Sequence, residues 1–483
     1  MLGQLARPNR EPRAQRTEAR VKDLGDTIAA IATGPGSGGL AVLRVSGPRA
    51  IAVAGALLAG GEPLDLAPDH SLRHAWAHWP DRPDQRIDEV VAAVFRAPRS
   101  YTREDVVELS CHGGPLTAQR LLDALRAAGA RLASPGEFTL RAFLNGRLDL
   151  TQAEAVADLI QAETQAAREL ALSQLAGSLS KRLSEIEDRI ADAAAEVEAR
   201  VDFAEDVGGL EVPPHVREAI RGALAQLAAL LEGSAWARAV REGLQVPIVG
   251  RPNVGKSSLF NALLGEDRAI VTSSPGTTRD RVSESVEISG VRIKLSDTAG
   301  IRDGEEPIER LGIERARAAL RESRVAIWVL DSSVPLSVED LAIAQQLAGR
   351  HVLAAFNKCD RESRLDRTAV AARLDGCQWR GVEVSAITGV GLDALRANLA
   401  DLAGVDRKGN GIGPVASHPR HVESLDRARA ALARAARVAE AGESGEIVAL
   451  EMRECLEAMG EVTGRRASEE LLDRIFSRFC IGK

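Results

Sequence analysis

A glycine-rich octapeptide, Gly250-Arg-Pro-Asn-Val-Gly255-Lys256-Ser257, stands between the apolar run LQVPIVG and the helical run SSLFNALLG. No other feature constrains the fold as tightly. Glycines between a strand and a helix let backbone N–H groups wrap phosphates at the helix N-terminus. In that setting Lys256 offsets charge on the β and γ phosphates, and the Ser257 hydroxyl is placed to ligate Mg²⁺. The later runs VRIKLSD, RVAIWVLD, HVLAAFNK and VEVS are separated by helical or loop segments. Such alternation predicts a mostly parallel sheet wrapped by helices over residues 244–402, an α/β domain with a phosphate-binding loop.

Further corners of a nucleotide site follow at strand ends. Asp297-Thr298-Ala299-Gly300 closes VRIKLSD, where a carboxylate reaches the magnesium shell and a glycine N–H the γ-phosphate. Asn357-Lys358-Cys359-Asp360 closes HVLAAFNK. Its Asp360 can accept two hydrogen bonds from guanine N1–H and the 2-amino group, a pair that adenine lacks. Ser385-Ala386-Ile387 after VEV supplies a loop that resembles the one flanking the guanine in other GTPases. With Asn253, Val254, Gly255, Lys256, Ser257 and Ser258 these residues form the expected GTP site, and Lys256 is its expected catalytic cation. Between the first corners lies Thr272-Ser273-Ser274-Pro275-Gly276-Thr277-Thr278, a run of small polar residues with no packing pattern. It reads as a switch loop, with Thr278 a second Mg²⁺ ligand, although the same composition also suits an ordinary turn.

The position after Gly300 is Ile301, which cannot hydrogen-bond water. Hydrolysis therefore needs another positioning group and another positive charge. The acidic stretch Asp303, Glu305, Glu306 and Glu309 offers carboxylates, and Asn253 can hold a monovalent cation. By spacing alone, an acidic run is equally a solvated face.

At 483 residues the chain exceeds one ordinary core. Residues 23–146 alternate short apolar runs, such as AVLRVSG and DEVVAAVFRAP, with Gly/Pro turns and read as an α+β domain. Residues 147–243 are rich in helix formers, with long helices expected from Thr151 to Phe203, and helical texture returns over 403–483. The nucleotide domain is thus inserted into a helical one. Five cysteines, odd in number and without a C-x-x-C, argue against a disulfide framework and fit a reducing cytoplasm. No run reaches the length of a membrane span. A net charge of −7 excludes a uniformly basic nucleic-acid binder, so RNA would need a local patch. The leader, residues 1–22, carries Arg7, Arg10, Arg13, Arg16, Arg20 and Lys22 against Glu11 and Glu18, a basic arm or a solvated and disordered segment.

Three blocks point to one family: TREDVVELSCHGG with SPGEFTLRAFLNGRLDLTQAEAVADLI, GRPNVGKSSLFNAL with SSPGTTRD and DTAGIRDGEEPIERLGIERA, and the ending RIFSRFCIGK. Together they closely resemble the tRNA-modification GTPases called MnmE or TrmE, over about residues 24–483. The resemblance implies a homodimer formed through the N-terminal domain, a bound 5-formyl- or methylene-tetrahydrofolate, and K⁺-dependent association of the GTPase domains. It also implies action with the flavoprotein MnmG, adding a carboxymethylaminomethyl or aminomethyl group at C5 of the wobble uridine of certain tRNAs. By matching positions, Asn253, Thr272, Ser274 and Thr277 would ligate K⁺, Ser257 and Thr278 would ligate Mg²⁺, and Glu309 would be the hydrolytic carboxylate, acting through water.

Folate contacts would be Arg44, Glu108, Arg147 and Lys483. An arginine suits the anionic tail of a folate and Glu108 can accept from the pterin, though alone they read as surface arginines and a strand-edge glutamate. Arg147 stands where a lysine is common in the family, and Ser37 where a basic residue is usual. Cys480, in FCIGK, matches the terminal motif whose thiol is a candidate catalytic group; a lone cysteine near a terminus is otherwise inert core. A regulatory GTPase, for example one assisting ribosome assembly, shares the nucleotide site but lacks the folate chemistry.

Overall fold

The computed structural model describes residues 25–60, 62–202, 211–265, 285–297, 323, 325–403, 413–442 and 444–483. The chain forms two compact units, one from the residues up to Ala157 with Leu456–Lys483, the other from Asp158–Cys455.

The first unit is built on a seven-stranded sheet of order β3-β4-β5-β6-β2-β1-β7. The strands are β1 Ile28–Ile31, β2 Leu40–Ser46, β3 Leu58–Ala59, β4 Ser71–Trp79, β5 Arg82–Phe95, β6 Val106–His112 and β7 Arg131–Leu132. Alternation along β2 sends Ala41, Leu43 and Val45 into the core, where Val107 and Leu109 of β6 meet them. Leu121, Leu122 and Leu125, three and four residues apart on helix Pro115–Ala127, cover this face. The opposite parity places Arg44 and Glu108 as direct cross-strand partners on the other face. Strand β5 extends well upstream of the expected DEVVAAVFRAP run, because its polar first half pairs with Trp79 and His78 in a bulged hairpin.

Beside β1, the wholly buried Arg141 of helix Glu137–Leu144 collects three carboxylates. Its guanidinium contacts Asp26 at 2.5 Å, Glu137 at 3.0 Å and Glu104 at 3.2 Å. A charge taken fully out of water is tolerated only when surrounded in this way.

The expected helical stretch from Thr151 is three helices, Leu150–Gln161, Gln165–Leu175 and Ser178–Asp202, of which the last two lie in the second unit. The breaks have local causes. The Thr164 hydroxyl accepts from the Ala167 N–H at 3.1 Å as an N-cap, and Gly177 takes φ 81°. Helix Ser178–Asp202 buries Leu179, Leu183, Ile186, Ile190 and Val197 along one stripe, and helix Pro214–Glu232 packs on helix Pro419–Ala441.

Between these helices the chain runs through a six-stranded sheet of order β13-β12-β11-β8-β10-β9. Its strands are β8 Leu244–Val249, β9 Ser285–Ile288, β10 Val291–Asp297, β11 Val325–Asp331, β12 His351–Asn357 and β13 Gln378–Glu383. All pairings are parallel except that of the edge strand β9. Every residue of β11 is buried, as a central strand covered on both faces requires. VEVS, expected as a strand, contributes only its first residues, since β13 starts at Gln378 and ends at Glu383.

The way out of the sheet is stitched to the helices. Gln174 Nε2 donates to Val415 O at 3.2 Å and to Ser417 Oγ at 2.8 Å. Arg241, just before β8, donates to His418 Nδ1 at 3.2 Å, which leaves Nε2–H to donate to Asp158 at 2.8 Å. The protein is therefore multidomain: an α+β N-terminal part, a helical layer, and an inserted, mostly parallel α/β sheet with a phosphate-binding loop.

Candidate nucleotide site and N-terminal pocket

The phosphate loop leaves β8 with Gly250 at φ 157° and enters helix Lys256–Leu264 through Gly255 at φ 95°. A Cβ on Gly250 would lie 2.5 Å from Val329 O, and one on Gly255 only 2.3 Å from Asn357 Nδ2. Only glycine fits at either point, so the cradle is shaped by the loops around it. Asn253 between them has φ 62°, a left-handed conformation that asparagine tolerates. Lys256 is buried, with Nζ donating to Gly250 O and Arg251 O at 2.8 Å each. The ammonium thus lies folded over the loop. Val254 serves by its backbone, since its side chain is core. Ser257 and Ser258 are exposed in the first helical turn.

The guanine corner is tied to this loop by side chains. Asn357 Nδ2 donates to Val254 O at 2.8 Å while its Oδ1 accepts from Ala386 N–H at 3.1 Å. Asn357 is a strut between two loops. Lys358, at φ 63°, donates to Asn253 O at 3.0 Å and pairs with Asp331 at 2.6 Å. Asp331, at the end of β11, was not among the expected site residues, although its place as the terminal aspartate of RVAIWVLD is a visible signal. Burial opposes its ionisation, but the Lys358 ammonium and bonds from Ser333 prevail and hold it below the ordinary carboxylate range. A hydrogen bond from Ser385 likewise lowers Asp360, the expected guanine acceptor. Ile387 is 78% exposed, an apolar side chain left at the rim of this corner.

Register brings Asp297 of β10 opposite Ile248, two residues before Gly250, so the third corner ends beside the phosphate loop. Of Asp297 the backbone is described. Thr272, Ser273, Ser274, Pro275, Gly276, Thr277, Thr278, Thr298, Ala299, Gly300, Ile301, Asp303, Glu305, Glu306 and Glu309 lie outside the described residues, as does the leader 1–22.

In the first unit the expected folate residues Arg44 and Glu108 lie on the sheet face opposite the core. Arg44 forks onto Glu108, with Nε and Nη2 at 2.8 and 2.7 Å from Oε1, and Nη1 reaches Gly482 O at 3.5 Å. Tyr101, the single tyrosine of the chain, lies between two cations, 5.2 Å from the Arg44 guanidinium and 4.7 Å from that of Arg147. Its hydroxyl meets Thr139 Oγ1 at 2.9 Å. Nothing in the local sequence marks Tyr101 except that it is the single tyrosine. Gly482, at φ 94°, packs so closely that a Cβ would lie 2.5 Å from Ile31 O. That contact seats the end of the chain beside β1 and brings the half-buried Lys483 next to the residue bonded by Arg44. Cys480 is exposed, and its carbonyl accepts from Gly136 N–H at 3.4 Å.

Glycines that nothing larger can replace, a buried lysine over the loop and a guanine corner locked to it define a GTPase with a phosphate-binding loop, set within a helical protein. The description "GTP-binding protein TrmE N-terminus" matches residues 27–147, and "MnmE helical domain" matches residues 150–480. The tRNA modification GTPase MnmE of Symbiobacterium thermophilum is 45% identical over 465 residues, covering 95% of this chain and 99% of that protein. Its counterpart in Chloroflexus aurantiacus is 44% identical over 461 residues, covering 95% and 100%. That in Lactiplantibacillus plantarum is 41% identical over 460 residues, covering 95% and 98%. This chain belongs to the MnmE family of tRNA modification GTPases.

Proposed function

We propose that this protein hydrolyses GTP to drive modification of tRNA at C5 of the wobble uridine, working as a homodimer with the flavoprotein MnmG and a tetrahydrofolate in the cytoplasm. One observation carries the reading: the phosphate loop, braced by Asn357 and Lys358, shares a chain with the separate Arg44–Glu108–Tyr101 cluster. A GTPase that only signals has no use for the second.

In the nucleotide site Mg²⁺ would be held by Ser257 and Thr278, and its chemistry is to neutralise charge between the β and γ phosphates. Lys256 moves from loop carbonyls to phosphate oxygens, Asp360 fixes guanine, and Gly255 leaves room for the loop backbone to approach. Ile301 offers water no partner. Glu309 is therefore assigned to orient the attacking water, and K⁺ held by Asn253, Thr272, Ser274 and Thr277 to supply the missing positive charge. In the N-terminal pocket Arg44, Arg147 and Lys483 would engage the anionic tail of a 5-formyl- or methylene-tetrahydrofolate. Glu108 accepts from its pterin, Tyr101 offers a stacking face, and the exposed Cys480 thiol is a candidate reactive group.

Nucleoside analysis of tRNA from cells lacking this chain tests the reading. The C5-substituted wobble uridine should disappear and return on complementation. An unchanged nucleoside profile would sink it in favour of a regulatory or ribosome-assembly GTPase. In a parallel arm, hydrolysis by the purified protein should run several-fold faster in K⁺ than in Na⁺ of equal ionic strength, and equal rates would remove Asn253 from its role.

A further inference from the structure

Strands β9 and β10 meet in the turn Ser289-Gly290, with φ 52° and 80°, a two-residue hairpin whose twist matches its strands. A Cβ on Gly290 would fall 2.9 Å from the Ala166 Cβ, so the turn lies directly on helix Gln165–Leu175. Arg292 Nη1 donates to Glu163 at 2.5 Å, just ahead of that helix. Lys294 Nζ donates to the Glu242 carbonyl at 2.9 Å, closing the end of helix Ser234–Glu242. Apolar packing is continuous beneath: Ile288, Val291 and Ile293 share one buried cluster with Leu170, Ala237 and Val240 and with Val246, Ile248 and Val254 of the phosphate-loop arm.

Strand β10 therefore has two anchored ends. Its start rests on the helices and its last residue, Asp297, ends beside the phosphate loop, about 20 Å away at ~3.3 Å per residue. A strand paired on both sides, with β8 and with β9, is stiff along its axis. A shift imposed at the Asp297 end is passed to the turn, and Gly290 has no side chain there to cushion it.

We propose that the seat of the Ser289-Gly290 turn on Ala166, held by the Arg292–Glu163 pair, is the joint through which nucleotide state reaches the helical layer. Gly290, Arg292 and Glu163 are then positioning residues that couple hydrolysis to tRNA modification and leave hydrolysis itself alone. The link to modification rests on the function proposed above; the link between nucleotide and helix does not. The pair is well suited to a test, because its side chains are 27% and 56% exposed and such pairs contribute little to stability.

The experiment compares full-length parent protein with Glu163→Arg, Arg292→Glu and the double charge swap, with Glu163→Gln as a milder substitute where a reversal does not fold. Hydrogen exchange of the amides in helix Gln165–Leu175 is measured with GDP and with a non-hydrolysable GTP analogue, beside single-turnover GTP hydrolysis. In the parent, exchange should differ between the two nucleotides by about fivefold. Single variants should lose that difference while hydrolysing GTP within about twofold of the parent, and the swap should restore it. A parent helix indifferent to the nucleotide, or single variants that keep the parent's difference, overturns the joint. Loss of the exchange difference with hydrolysis intact supports it whatever reaction the protein drives.

Discussion

At the nucleotide corner side chains hold backbone, whereas around Arg44 backbone holds side chains. Asn357 and Lys358 brace the phosphate loop through the Val254 and Asn253 carbonyls, and the cradle itself is peptide N–H groups shaped by Gly250 and Gly255. In the N-terminal pocket the pairing of β2 with β6 sets Arg44 against Glu108, and the close fit of Gly482 on β1 delivers the chain end to them. A backbone cradle demands a fixed tetrapeptide vocabulary and tolerates little exchange. A cluster of side chains on a sheet can be retuned residue by residue, since each contributes its own contact.

The largest test of that contrast is Lys256→Ala, which should lower GTP hydrolysis by about 10²-fold or more, because Lys256 is the buried cation of the loop and its other cation, Arg251, is paired with Asp340. Folate binding should be untouched, and a loss there would merge the two sites. Arg44→Ala comes next. It removes a charge-assisted contact and leaves Glu108 without its fork, so the affinity for 5-formyltetrahydrofolate should fall roughly tenfold to a hundredfold by calorimetry. GTP hydrolysis should stay within about twofold of the parent. An unchanged affinity would remove Arg44 from the pocket's function.

Legibility followed the same division. The nucleotide corner could be read from contiguous motifs because each tetrapeptide closes its own strand. The pocket could not, because residues 44, 101, 108, 147 and 482 meet only through register and a terminal glycine. Nothing local marked Tyr101, and only the family resemblance raised Arg44 and Glu108 above ordinary surface residues. Asp331 lay between these cases: it ends a strand as Asp297 and Asn357 do, but its role is to hold Lys358, and such support is invisible until the loops are adjacent. The three-way break of the long helical stretch was written in Thr164 and Gly177, though an Ala-rich sequence hides its stops.

The smallest expected effect separates the regions by pH. Burial raises the Glu137 carboxyl, but hydrogen bonds from Arg131 and Ser134 and the charge of Arg141 outweigh it, so its folded value lies below the ordinary 4.5. A carboxylate depressed in this way stabilises the fold fully above its unfolded value, and that stabilisation is lost as pH falls through the folded value. The thermal midpoint of the N-terminal unit should therefore fall as pH drops below about 4.5, and less steeply in Glu137→Gln. An identical slope in the variant would show that Glu137 is not the proton acceptor.

The insertion of the sheet into the helical layer has a consequence for the order of events at the ribosome. Helix Pro214–Glu232 carries Val216, Ile220, Leu227 and Leu230 toward helix Pro419–Ala441, which begins about 190 residues later. At roughly 5–20 residues per second, its partner follows some 10–40 s behind. Throughout that interval the first helices hold a bare apolar stripe while a whole nucleotide domain is synthesised and can fold. The window is open to chaperones and to aggregation alike, and its length is set by codon choice within the inserted domain as much as by any contact in the finished protein.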